Sequence, residues 1–89
     1  MSYSIVWKIS AQERFLAMEK TIRIRISRKI AKLSEVQKSS RHLRSNLPFF
    51  VEEVGQYRIC FEIDETTQSK IIYFVGDHKE YEGWYKSYR

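Results

Sequence analysis

Five side chains able to handle protons or phosphate stand in two short stretches. One is Val54-Gly55-Gln56-Tyr57-Arg58. The other is Gly76-Asp77-His78-Lys79-Glu80-Tyr81, with Tyr85 just beyond it. Arg58 sits among apolar neighbours in a strand-like run. An arginine held on a strand presents a planar fork that grips phosphate through two hydrogen bonds. His78 can give or take a proton near neutral pH, and Lys79 adds a point charge. Tyr81 and Tyr85, with Trp84 between them, can stack on nucleobases. His78 and Tyr81 stand three apart, as neighbours on one helical face do. Each residue also has a plainer reading. Arg58 fits a cross-strand salt bridge to Glu53 or Glu62. His78 fits a helix cap or a surface side chain, and the aromatic residues fit a clasp that ties the tail to a sheet edge.

Other chemistries find little support. Gly55, Gly76 and Gly83 are too scattered to cradle a phosphate, and no G-x-S-x-G nucleophile elbow is present. Cys60 is the single cysteine and His42 and His78 the only histidines. That excludes an internal disulfide and a cysteine-rich zinc site, and a lone thiol suits a reducing cytoplasm. The acidic pairs Glu52-Glu53 and Asp64-Glu65 read as solubilising groups rather than metal ligands. The residues thus point to a metal-free acid–base site with no cofactor. No apolar run reaches the roughly 20 residues that span a bilayer, and the first residues lack a secretory pattern.

Charge is unevenly spread over the 89 residues. The net charge is +5. Residues 20–44 carry nine basic groups, among them Arg25, Arg28, Lys29, Lys32 and Arg44, against Glu35 alone. The rest of the chain is slightly acidic. Such a segment suits an anionic partner, and it equally suits a solvated helix face.

These residues need elements to position them. Residues 3–9, rich in Ile, Val, Tyr and Trp, predict a first strand. Ser10 with Glu13 predicts a capping box opening a short helix over residues 11–18, with Ala11, Phe15 and Met18 on one face. In residues 20–36, Ile22, Ile26, Ile30 and Leu33 recur at helical spacing, and Arg25, Lys29 and Lys32 share another face. The stretch 22–26 alternates like a strand, but the longer pattern predicts a helix. Ser39-Ser40-Arg41-His42 reads as a polar connection. Residues 49–54 predict a strand, Gly55-Gln56 a tight turn, and residues 57–63 a strand with Tyr57, Ile59, Phe61 and Ile63 facing the core. That alternation sends Arg58 to the open side of the sheet. Residues 71–75 read as a central strand buried on both faces. The tail past Asp77 fits either a short helix or an extended clasp. The order predicts one α+β domain over residues 1–89: a mainly antiparallel sheet with two N-terminal helices on one face.

Over nearly its whole length the chain resembles the RelE/ParE superfamily of toxins from toxin–antitoxin systems. "YSIVWKISAQERF" resembles the family's first strand and helix. "HLRSNLPFFVEEVGQYRICFEID" resembles its Leu-Arg/Lys step, strand, V-G-x-Y-R turn and acidic turn, and "KIIYFVGDHKEYEGWY" its last strand and active C-terminal segment. The most specific piece is Val54 to Arg58, supported by Val75-Gly76. His78 to Tyr81 is closest to the HigB-like branch. The resemblance implies a compact fold like small microbial ribonucleases and metal-free mRNA cleavage in the ribosomal A site, leaving a 2′,3′-cyclic phosphate. It implies a cognate antitoxin, the ribosome and mRNA as partners. By position Arg58 matches the charge-stabilising arginine, His78 an acid or base, and Tyr81, then Tyr85, the terminal aromatic. Arg25, Arg28, Lys29, Lys32, Arg44 and Lys79 would bind nucleic acid. Where RelE carries two strand lysines this chain has Val51 and Glu53. ParE-like toxins share the fold and act on DNA gyrase. A gyrase-directed binder, or a catalytically weak nucleic-acid-binding relative, is therefore the alternative.

Overall fold

The computed structural model describes residues 3–35, 41–42 and 49–87. In chain order these form β1 (Ser4–Trp7), α1 (Ile9–Leu16), α2 (Lys20–Leu33), β2 (Arg41–His42), β3 (Phe50–Val54), β4 (Tyr57–Asp64), β5 (Ser69–Asp77) and α3 (His78–Lys86). The strands lie side by side in the order β1-β5-β4-β3-β2. β2 to β5 pair antiparallel, and β1 runs parallel to β5. The α+β arrangement with a mainly antiparallel sheet is as expected. The polar connection differs in part, because Arg41 and His42 pair with Val51 and Phe50 as a two-residue edge strand. Ser39 and Ser40 lie outside the described residues.

Packing decides the local choices. α2 has no side-chain cap and no acid in its first turn, and its isoleucines are weak helix formers. What holds it is one apolar face: Ile26, Ile30 and Leu33 are buried, with Ile22 packed beside them. α1 adds Ala11, Phe15 and Met18 to the same core. It starts two residues earlier than the Ser10 box predicts. Lys8 is the N-cap, with no side-chain cap. Ile59 and Phe61 of β4 and Ile72 and Val75 of β5 complete this core from the sheet. Phe61 is fully buried and stacks on Phe50 at 5.8 Å. Burying such a side chain contributes about 1.5–3 kcal/mol.

The other face of the sheet is not open. The register slips between Cys60↔Phe74 and Phe61↔Ile72, a bulge that leaves Tyr73 as the extra residue. The slip keeps Ile72 and Val75 under the helices and turns Phe74 to the far side. There Val51, Cys60 and Phe74 form a second buried cluster, against which Tyr81 and Trp84 of α3 pack. Trp84 stacks on Phe74 at 5.1 Å and meets Phe49 at 5.2 Å, and Phe49 meets Tyr73 at 4.8 Å. The tail is thus both a helix and a clasp.

Burial also explains the two odd side chains inside. Cys60 is fully buried, and burial pushes its thiol up to about 12, with the Arg58 guanidinium pulling weakly the other way. Only a thiolate reacts readily with alkylating agents. At pH 8 the folded protein is therefore expected to be alkylated by iodoacetamide about a thousandfold more slowly than in urea. Equal rates would show that α3 does not seal this face. Lys70 is 1% exposed. Its Nζ lies 3.4 Å from the Glu35 carbonyl oxygen, just past the α2 C-terminus, and 4.7 Å from the centre of the Tyr3 ring. Burial pulls its pKa below the usual lysine value, while the Glu52 and Glu65 carboxylates oppose that shift.

Candidate active site at the end of the sheet

The strand ends bring the two candidate stretches together. β4 begins at Tyr57, paired with Asp77, and Arg58 pairs with Gly76. Arg58 on β4 and the first turn of α3 therefore share one end of the sheet. Gly55, Gln56, Arg58, Asp77, His78 and Lys79 line a surface cavity of about 530 Å³ there.

A tight turn fixes Arg58. Gly55 has a φ of 60°, a conformation glycine adopts without strain, and it is the first of two turn residues in the β3–β4 hairpin. The Arg58 Nη1 donates to the carbonyl oxygens of Gly55 at 3.2 Å and Tyr57 at 3.1 Å. Its Nε lies 3.8 Å from Glu53 Oε2, directly across the ladder. The cross-strand pair considered from sequence is thus present. It is loose, however, and the Glu53 side chain is 50% exposed, so it is worth little in water. Among the described residues its Nη2 makes no hydrogen bond or ion pair. Val51, at the other lysine position of the resemblance, is buried in the second cluster and meets no ligand.

A capping box sets α3. The Asp77 carboxylate accepts from Glu80 N at 2.9 Å, and Glu80 Oε1 accepts from Asp77 N at 3.0 Å. Gly76 makes room for it: a β-carbon there would stand 2.6 Å from the Phe74 ring and 2.9 Å from Glu80 Oε1. Glu80 Oε2 also reaches Arg14 of α1 at 3.2 Å, and the Arg14 guanidinium lies 4.8 Å from the centre of the Phe74 ring. Reading the sequence missed Asp77, Glu80 and Arg14, although D-x-x-E at 77–80 carries a capping signature. Glu80→Ala removes both contacts of one carboxylate and is expected to cost α3 roughly 1 kcal/mol. Amide exchange in residues 81–84 should then rise about fivefold while the β4–β5 amides hold. Unchanged exchange in α3 would mean the box does not anchor it.

The helix presents its chemistry in a row. His78 Nε2 lies 3.2 Å from Glu82 Oε2, one turn along the same helix. The Tyr81 ring lies 6.4 Å from His78 and 5.0 Å from Tyr85. His78 is exposed, and Tyr81 and Tyr85 are half-buried; neither tyrosine lines the cavity. Lys79 is exposed on the cavity wall, and the positive end of the α3 dipole points the same way.

Around the hairpin tip lies the α2 basic face. Arg25, Arg28, Lys29 and Lys32 line a groove of about 250 Å³ with Glu53 and Val54. Lys29 is tied to Glu52 at 3.3 Å. Arg44 lies outside the described residues. Among the described residues, no three His, Cys, Asp or Glu side chains gather where they could hold a metal ion, and no helix is long and apolar enough to cross a membrane.

No protein-family model matches the sequence, and no curated protein matches it. Solved structures do match. A mutant of the E. coli toxin RelE in the free state aligns with a TM-score of 0.79 at 16% identity, covering 94% of this chain and 92% of that one. The Mycobacterium tuberculosis RelBE2 toxin–antitoxin complex aligns at 0.77 with 20% identity, covering 86% and 92%. The archaeal RelE–RelB complex from Pyrococcus horikoshii aligns at 0.70 with 13% identity, covering 88% and 97%. The chain has the RelE fold.

Proposed function

We propose that this chain is the toxin of a RelE-type toxin–antitoxin pair, one that inhibits translation by cleaving mRNA on the ribosome. The observation that carries this reading is the cavity at the sheet end, where Arg58, His78 and Lys79 converge from a hairpin and a helix start. A phosphodiester seated there has a cation fork, a point charge and a proton carrier within one site. In the proposed reaction the ribose 2′-oxygen attacks the adjacent phosphorus. The P–O5′ bond breaks, the 2′-proton is lost and the 5′-oxygen gains one. The products are a 2′,3′-cyclic phosphate and a 5′-hydroxyl. His78 carries one of these protons, and Arg58, with Lys79, offsets the charge gathered on the phosphorane oxygens. Tyr81 and Tyr85 offer stacking faces to the bases. Arg28, Lys29 and Lys32 meet RNA phosphates without reading sequence. The partners are the translating ribosome and an antitoxin; the likeness to RelE–RelB complexes supports the second. The setting is the cytoplasm.

Glu53 favours a second reading. A carboxylate facing Arg58 repels the phosphate that Arg58 would bind, as expected of a relative that binds nucleic acid and cleaves slowly. Induction in cells, with mRNA 5′ ends mapped and DNA breaks followed, separates the readings. Cuts inside translated codons support the nuclease. DNA breaks without mRNA cuts would mean a gyrase-directed toxin, and neither, with normal growth, the weak relative.

A further inference from the structure

We infer that the RNA strand does not end at the cavity but continues over the β3–β4 turn, where Arg25 holds the phosphate next to the reacting one. The inference rests on the RNA-cleaving reading above and adds to it a second phosphate position on a named residue.

The observation is at Gly55. Two guanidinium groups converge on this glycine. Arg25 Nη2 lies 2.6 Å from the place a β-carbon would occupy, and Arg58 Nη1 lies 3.2 Å from its carbonyl oxygen. Any side chain at position 55 would displace Arg25, so the glycine serves two ends. It takes the positive φ of the turn, and it lets an arginine from α2 lie against the hairpin tip. Among the described residues Arg25 has no carboxylate partner, unlike Lys29 on the same face. The cavity is lined by Gly55 and Gln56 of the turn, and the α2 groove by Glu53 and Val54 just before it, so the two meet along one hairpin. An arginine at each side of one glycine gives a single strand crossing the turn a cation on either side of it. Charge scattered over α2 alone would give no such relation to the reacting phosphate.

Length dependence tests this. The probes are a 2′-O-methyl RNA dinucleotide, which has one linking phosphate, and a 2′-O-methyl hexanucleotide, neither of which can be cleaved by 2′-oxygen attack. Binding to the full chain is followed by NMR titration at several salt concentrations. Arg25→Ala should weaken the hexanucleotide roughly two- to fivefold and lower the slope of log K against log salt by about 0.7, with the dinucleotide unchanged. Lys20→Ala removes the same charge from the first residue of α2 and should leave that slope unchanged. Equal weakening of both probes by Arg25→Ala, no weakening of either, or the same slope change in Lys20→Ala overturns the inference and leaves the cavity reading intact. If Arg58→Ala leaves binding of both probes intact, the cavity reading itself is lost, and the strand path with it.

Discussion

His78→Ala is expected to lower mRNA cleavage by about 10²–10⁴-fold, the range that one positioned proton carrier contributes. The side chain is more than half exposed and, among the described residues, it pairs with Glu82 on the same helix. Its removal should therefore leave folding and thermal stability within about 0.5 kcal/mol. The loss should appear in the rate of the chemical step, with ribosome binding retained. Single-turnover cleavage on ribosomes stalled at a defined codon reads this directly. Wild-type rates in His78→Ala would remove the histidine from the reaction and favour a function in which cleavage plays no part.

Arg58→Ala is expected to cost about 10²–10³-fold, as loss of one preorganised charge donor does. The arginine is only 16% exposed and anchors to two carbonyl oxygens of its own hairpin, so its geometry is set before substrate arrives. Arg58→Lys keeps the charge but not the fork, and should recover only part of the rate. The same anchoring predicts a structural cost: the Gly55 and Tyr57 carbonyl oxygens lose the hydrogen bonds that Arg58 donates. A drop in stability of about 1 kcal/mol accompanies the rate loss. A double variant Arg58→Ala/Glu53→Gln isolates the Glu53 charge: because that pair is loose and exposed, the double variant should stay about as slow and as unstable as Arg58→Ala. Full recovery of rate in that variant would show that Arg58 serves only to neutralise Glu53.

Much of this architecture can be read from residue patterns. Tyr57, Ile59, Phe61 and Ile63 alternate and do line the helix side. Ile22, Ile26, Ile30 and Leu33 outweigh the strand-like stretch between them because only a helix buries them together. Two features resist such reading for physical reasons. Alternation marks Cys60 as outward-facing, yet it is fully buried, because α3 folds back over that face. Its burial depends on Trp84, more than twenty residues away. The bulge at Tyr73 depends on the pairing register of β5 with β4, which no single strand displays. Within the site, Arg58, His78 and Lys79 were recognisable by type, and the fold brings them to one cavity. Arg14, Glu80 and the approach of Arg25 to Gly55 come from tertiary contacts between helices and strand ends. The D-x-x-E at 77–80 was the one such feature with a local signal.

The most direct test of the nuclease account uses ribosomes programmed with a short message. The position of the cut is first found with the all-RNA message. A second message then carries one 2′-deoxynucleotide on the 5′ side of that position. The account predicts that the protein cuts the first message, leaves a 2′,3′-cyclic phosphate and a 5′-hydroxyl, and fails to cut the second there. Cutting of the deoxy-substituted message at the same bond, or no cutting of either message, would contradict it.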